Sequence, residues 1–354
     1  MPFILIIARF GLISIFNMRK SLLVFSFFLF FSAAHAKSIG DYLTSKKDTN
    51  YIESYYKDLI VRLYSGEKTH SLSLSDMNMP YRLRYLPNGY FNLGVGVNFR
   101  SFGLSLATKI PIFQNSTIRH GDTKRFGIQS YIYSSKFTVD LLTSFLKGYY
   151  LVNSSDHFSG YTKDKEYQRP DISSANIGLS INYIFNNEHF SYRAAFSDTE
   201  RQKRSAGSLI AGGSVISYQT KADSSIVPRE IDSKYFAKSR DISEFGVLAF
   251  NANVGYAYSL IFLKHGICTL SYILGVGIQD NTFDRELNDV INRWRFSMNH
   301  SIRVGVGYRF NRYYLRLGII RSTQYTNLKY NDLSIENGTN FIQVSLGKRF
   351  TLRK

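Results

Sequence analysis

Cysteine is almost absent from this chain: Cys268 stands alone among 354 residues, which excludes an internal disulfide. It falls in the apolar series Cys268, Leu270, Tyr272, Leu274, where it reads as a buried spectator. Proline is scarce, six in all, and Pro87, Pro170 and Pro228 fall at expected loops or strand starts, where they leave strand ladders intact. The seven histidines are scattered without a His/Cys/Asp cluster at ligand spacing, so no metal and no cofactor is expected. No glycine-rich sequence lies between a strand and a helix. The alternate glycines of Gly94-Val95-Gly96 and Gly275-Val276-Gly277 make room inside a curved wall and do not form a phosphate loop. Acidic residues are in deficit, 26 against 44 Lys+Arg. Such a balance suggests nucleic acid at first sight. That partner is excluded here, because the chain carries an export signal and its arginines alternate within strands.

What is present is alternation. Trp294, Phe296, Met298, His300, Ile302, Val304, Val306, Tyr308 and Phe310 share one parity; Arg295, Ser297, Asn299, Ser301, Arg303, Gly305, Gly307 and Arg309 share the other. A period of two sends these sets to opposite faces of a strand. One face needs a dry neighbour and the other needs water, as in the wall of a membrane barrel. The aromatics, 26 Tyr and 28 Phe, suit the two water–lipid boundaries of such a wall.

The N-terminus points to export. Met18-Arg19-Lys20 is a basic n-region, residues 21–31 an apolar h-region, and Ala34-His35-Ala36 a small-x-small cleavage site, so residues 1–36 read as a signal peptide and Lys37 as the mature start. Residues 1–17 read either as a start mis-assigned upstream of Met18 or as the front of a long signal. The mature chain keeps 41 Lys+Arg and 26 Asp+Glu, a net charge of +15. Residues 37–66 read as a periplasmic helical leader, because Ile52, Tyr56, Leu59, Ile60 and Leu63 recur at helical spacing, with Thr49 or Asn50 as cap and Gly66 as stop. Residues 67–354 read as the barrel.

Alternating segments follow one another along that region. Phe91, Leu93, Val95, Val97 and Phe99 precede Phe102, Leu104 and Leu106; Phe126, Ile128 and Ile132 turn at Ser134-Ser135-Lys136 into Phe137, Val139 and Leu141. Ile177, Leu179, Ile181, Tyr183 and Phe185 end at Asn186-Asn187-Glu188, and Phe190, Tyr192, Ala194 and Phe196 read as the next strand. Further strands are expected at 208–218, 245–262, 266–278, 294–310, 313–326 and 340–350, with longer polar connections at 112–124, 152–171, 279–293 and 328–339. Asn251 and Asn253 interrupt the apolar stretch 245–263 and favour two strands over a membrane helix. Counting from the two ends gives opposite directions for 208–218, so a strand is missing or misassigned within 199–243. The expectation is an all-β antiparallel transmembrane barrel of about 12 strands, 10 and 14 being the neighbouring even counts.

Tyr85-Leu86-Pro87-Asn88, Gly103-Leu104-Ser105-Leu106, Lys147-Gly148-Tyr149-Tyr150-Leu151, Arg169-Pro170-Asp171-Ile172, Phe190-Ser191-Tyr192-Arg193-Ala194-Ala195-Phe196 and Gln202-Lys203-Arg204-Ser205-Ala206-Gly207-Ser208 together resemble a domain-of-unknown-function family of secreted proteins, numbered 4421. The resemblance runs from about Tyr51 to Phe350. It implies an outer-membrane barrel, and no activity or cargo.

The lumen-lining candidates are Arg100, Arg125, Asp140, Arg193, Arg295, Arg303, Arg309 and Arg316. Arginines inside a barrel either pair with acids such as Asp140 or Glu244 and lock the interior, or line a wet path that favours anions. A structural barrel, or one passing solutes or lipids passively, is therefore the first functional expectation. An outer-membrane lipid hydrolase and a surface-loop adhesion or assembly component are the alternatives. No Ser–His pair meets face, depth and an orienting acid together: the position two after the outward His300 is Ile302, His189/Ser191 points inward, and His157/Ser159 lies in a loop. No catalytic residue is expected. Expected partners are outer-membrane lipids, lipopolysaccharide touched by the basic Arg201-Gln202-Lys203-Arg204 stretch, and the barrel-assembly machinery, around a monomer.

Overall fold

A computed structural model describes residues 46–354 apart from 56, 100–101, 115–116, 163, 286–290, 329–331 and 352–354. The expected signal peptide and the first part of the expected leader lie outside the described residues. The strands are β1 (Ile52–Ser54), β2 (Asp58–Asp76), β3 (Arg82–Leu86), β4 (Tyr90–Phe99), β5 (Phe102–Gln114), β6 (Lys124–Tyr133), β7 (Phe137–Leu151) and β8 (Tyr167–Ile184). They continue with β9 (Glu200–Gln202), β10 (Ala206–Lys221), β11 (Ile242–Phe262), β12 (Gly266–Arg285), β13 (Ile291–Phe310), β14 (Tyr313–Leu328) and β15 (Leu333–Thr351). Helices α1 (Thr117–His120) and α2 (Tyr192–Phe196) are each about one turn.

The sheet closes on itself because β15 pairs antiparallel with β2, Leu333 opposite Asp76 and Thr351 opposite Asp58. Two rings share most of the wall. At one end β3 bridges β2 and β7, completing a ring of ten strands with β8 and β10–β15. At the other end β4, β5 and β6 take the place of β3, and the ring has twelve. The ring pairs its strands all round, the condition for a sheet in hydrocarbon. However, β5 and β6 meet only where Phe102 and Gly103 lie opposite Ile132 and Tyr131, so most of each is paired on one side alone.

The two parities of each strand face opposite environments. On β11 and β12 Leu260, Leu270 and Ile278 are 50 %, 55 % and 54 % exposed, whereas Ser259, Thr269 and Gln279 are fully buried. On β13 Trp294 and Phe296 point out, and Ser297, Asn299 and Arg303 point in. Apolar outside and polar inside inverts a soluble protein and matches a lipid-facing wall. Cys268 is half-buried on the outward parity.

Three expectations are corrected. Residues 58–66, read as the end of a helix, form the first half of β2. Ile60, Arg62 and Tyr64 are buried while Leu63 is exposed, so a period of two overrides the i, i+4 coincidence of Leu59 and Leu63. Residues 190–196, read as a strand, turn inward, with α2 over Tyr192–Phe196, so the misassignment lay just before 199–243, where the structure has β9, β10 and the start of β11. The polar stretches 279–293 and 328–339 are largely strand, since β12, β13 and β15 extend through them.

Candidate functional site: the barrel interior

The short connections between β4 and β5, β6 and β7, β11 and β12, and β13 and β14 lie together at one end. There the chain folds into its own lumen. The β1 strand pairs antiparallel with β9, Ile52 opposite Gln202, and Tyr55 N–H donates to the Thr199 carbonyl at 2.9 Å. The Ser191 side chain caps α2, accepting from Ala194 N–H at 3.0 Å and donating to Glu200 Oε2 at 2.6 Å. Residues 46–55 and 186–204 form one plug.

Wall and plug meet through charge. Arg316, 7 % exposed, is ion-paired with Asp198 and donates to the Ala194 carbonyl at 3.2 Å. Arg309 lies 3.6 Å from Asp198 and donates to the Glu200 carbonyl at 3.2 Å. Arg193, on the plug itself, sits 3.0 Å from Glu200, which also pairs with Lys47. Burial pushes the Lys47 ammonium below its usual range, against the pull of Glu200. From β4 Asn98 donates to the Ser197 carbonyl at 2.6 Å. A Cβ at Gly305 would stand 3.1 Å from the Ala195 carbonyl, a tight contact that the plug would have to relieve by a few tenths of an ångström. The space left between Ala194, Asp198, Arg309 and Tyr314 is about 20 Å³, room for about one water.

Above the plug Arg303 crosses the lumen from β13 to Asp140 on β7 at 2.9 Å, with the Tyr133 hydroxyl 2.7 Å from the same carboxylate. Arg125 donates to the Lys68 carbonyl, and Arg295 is half-buried on the inward parity of β13. Arg100 lies outside the described residues. Glu244, named as an acid partner, pairs with Lys221 at 3.2 Å and with no lumen arginine among the described residues. Asp198, Glu200 and Arg62 were not anticipated. Arg62, 7 % exposed, donates to Ser105 Oγ at 2.8 Å. Its signal was the alternation Ile60, Arg62, Tyr64.

Higher still, the lumen is neutral and polar, then apolar. Gln324 donates to Gln279 and Ser297 at 3.1 and 3.0 Å, and Asn253 donates to Asn182 at 3.0 Å. At the long-loop end residues 222–241 fold over the opening. Ile226, Val227, Ile231 and Phe236 join inward residues of the wall, among them Leu74 and Phe245, in one buried cluster. The Tyr85 hydroxyl and Phe236 N–H anchor this cap, donating to the Ile226 carbonyl at 2.7 Å and to Asp76 Oδ2 at 2.6 Å.

Among the described residues, His70, His157, His189 and His300 have partners that differ from those of a Ser–His–Asp centre. His70 and Ser144 are 3.0 Å apart, but Thr339 holds the other ring nitrogen at 3.2 Å, leaving no position for an orienting carboxylate. His157 Nδ1 faces the Tyr81 hydroxyl at 2.8 Å, and burial lowers its affinity for a proton. His189 lies 3.6 Å from Asp48, with its other ring nitrogen on Asn186 at 3.0 Å. His300 points outward between Tyr272 and Tyr325. Among the described residues no three His, Cys, Asp or Glu side chains group as metal ligands.

A family model, that of a domain of unknown function (DUF4421), matches residues 46–350. No curated protein matches the chain. Solved structures similar to it include the outer-membrane protease OmpT of Escherichia coli, at 10 % identity and TM-score 0.37 over 84 % of this chain and 98 % of that one. The toluene transporter TodX of Pseudomonas putida is similar at 8 % identity and TM-score 0.26 over 82 % and 89 %. The outer membrane protein OprG of Pseudomonas aeruginosa is similar at 9 % and 0.23 over 86 % and 100 %. Similarity at this level carries no argument about activity.

Proposed function

The chain belongs to that domain-of-unknown-function family, and from this premise we propose an outer-membrane barrel that is sealed at rest and passes small solutes or lipids only when its plug is displaced. The apolar outward face and the separation of short turns from long loops support placement in the outer membrane, with the plug on the periplasmic side. The observation that carries the functional reading is the ion-pair contact of Arg316 and Arg309 with Asp198. A structural filler needs only packing. Buried pairs instead hold one arrangement tightly and, once parted, leave a ring of arginines that favours anions. Insertion by the barrel-assembly machinery and a monomeric state belong to the same proposal.

Planar-bilayer conductance of the refolded mature chain tests it. The wild type should be silent, and Asp198→Asn with Glu200→Gln should conduct with anion preference. Steady wild-type conductance, or a conducting variant whose ion preference ignores Arg316→Gln, would refute it.

A further inference from the structure

The apolar outward band is uneven in height. On β11 it runs from Phe262 through Leu260, Tyr258, Tyr256 and Val254 to Ala252, Phe250 and Leu248. On β2 it stops at Leu63, and Ser65, Glu67, Thr69, Ser71 and Ser73 follow on the same parity. On β14 and β15 it stops two outward rungs higher, since Leu63 lies opposite Leu346 and Glu67 opposite Ile342. Ile319 pairs with Ile342 across β14 and β15, and the next outward pair toward the long-loop end is Arg321 with Asn340. Above it Ser73 pairs with Arg84 and Ser75 with Arg82. In this sector a groove of about 520 Å³ opens, lined by Ser71, Ser73, Arg82, Arg84, Arg321 and Glu336, with His157 on its loop side.

We propose that this notch binds the phosphates of an outer-leaflet glycolipid, the phosphorylated head of lipopolysaccharide. The inference rests on the placement argued under the proposed function. A guanidinium one rung above the last apolar residue lies where hydrocarbon gives way to headgroups, its stem on the wall and its charge in the polar layer. Arg82 is held by Glu336 at 2.7 Å, whereas Arg84 and Arg321 have no ion-pair partner among the described residues and are exposed. Arginine offers phosphate two parallel N–H donors, and the serines beside it add neutral ones. Tyr272, His300 and Tyr325 form an aromatic row on the same face, with ring centroids 6.3 and 5.5 Å apart, as at the boundary girdles of such barrels. The groove volume falls within the roughly 300–1,000 Å³ of ligand sites. The basic residues 201–204 do not serve this purpose. Arg201 donates to the Lys264 carbonyl at 3.0 Å, in the short β11–β12 turn at the opposite end.

Native mass spectrometry of the refolded mature chain in neutral detergent, titrated with lipid A carrying both phosphates, tests the site. Wild type should bind, and Arg84→Gln with Arg321→Gln should weaken binding about tenfold or more, the scale of losing charge-assisted bonds. Enzymatically dephosphorylated lipid A should bind wild type as weakly as the variant binds lipid A. Inorganic phosphate at millimolar concentration should not compete. Equal affinity of the two proteins, equal affinity of the two lipids, or full competition by inorganic phosphate overturns the proposal. The comparison of the two lipids on wild type stands even if the variant does not fold. A wild type without a heat-modifiable gel shift would instead remove the barrel reading beneath it.

Discussion

The two ends of the lumen are shut by different chemistry. At the short-turn end Arg316, Arg309 and Arg193 meet Asp198 and Glu200; at the long-loop end Ile226, Ile231 and Phe236 sink into an apolar cluster. An apolar closure degrades gradually as volume is lost. A charged closure fails abruptly, since removing one partner strands the other in a dry place. On the function proposed above, the contrast makes the plug end the one that opens. The plug end can exchange its internal pairs for water and ions, while the cap gains nothing from exposure.

The largest effect should come from the charged end. Asp198→Ala leaves Arg316 and Arg309 facing an empty position and should cost about 3–5 kcal/mol, read as a lower urea midpoint in vesicles. If the loss is only that of a surface pair, the contrast between the ends disappears. At the apolar end Ile226→Val should cost about 0.5–1.5 kcal/mol without any conductance. Leak from this variant would make the cap the gate.

The smallest effect should be one of pH. His157 beside the cap is held below its ordinary value of 6.5 mainly by burial, with Asp156 pulling the other way. The unfolded loop therefore takes up a proton before the folded one. Local stability should be constant above about pH 6.5 and fall as the pH drops from there toward the folded value. Hydrogen exchange of residues 152–166 should be faster at pH 5 than at pH 7.5. Equal protection would separate His157 from the loop's stability.

The wall was legible in the sequence and the plug was not, for a physical reason. Over 294–310 the period of two persists long enough to exclude a helix, and β13 shows those two faces. Phe190, Tyr192, Ala194 and Phe196 alternate too, but five residues of α2 are too few to display a period of 3.6. Asp140 could be named as an acid for the lumen arginines because it falls on an inward parity, and Arg303 is the one that it meets. Asp198 and Glu200 could not, because they lie in a segment that leaves the wall, where parity no longer reports direction. At β2 the helical spacing of apolar residues misled, while the polar parity Arg62, Gly66, Lys68, His70 held the correct signal.

Spin-label accessibility along residues 294–310 tests the central claim most directly, in the refolded chain with Cys268→Ser in lipid vesicles. Collision with membrane-dissolved oxygen should peak at the even positions from 296 to 308. At the odd positions neither oxygen nor a water-soluble nickel chelate should reach the label below the cap. Loss of that period, or free access of the nickel chelate to both parities, would contradict a sealed barrel whose outer face meets lipid.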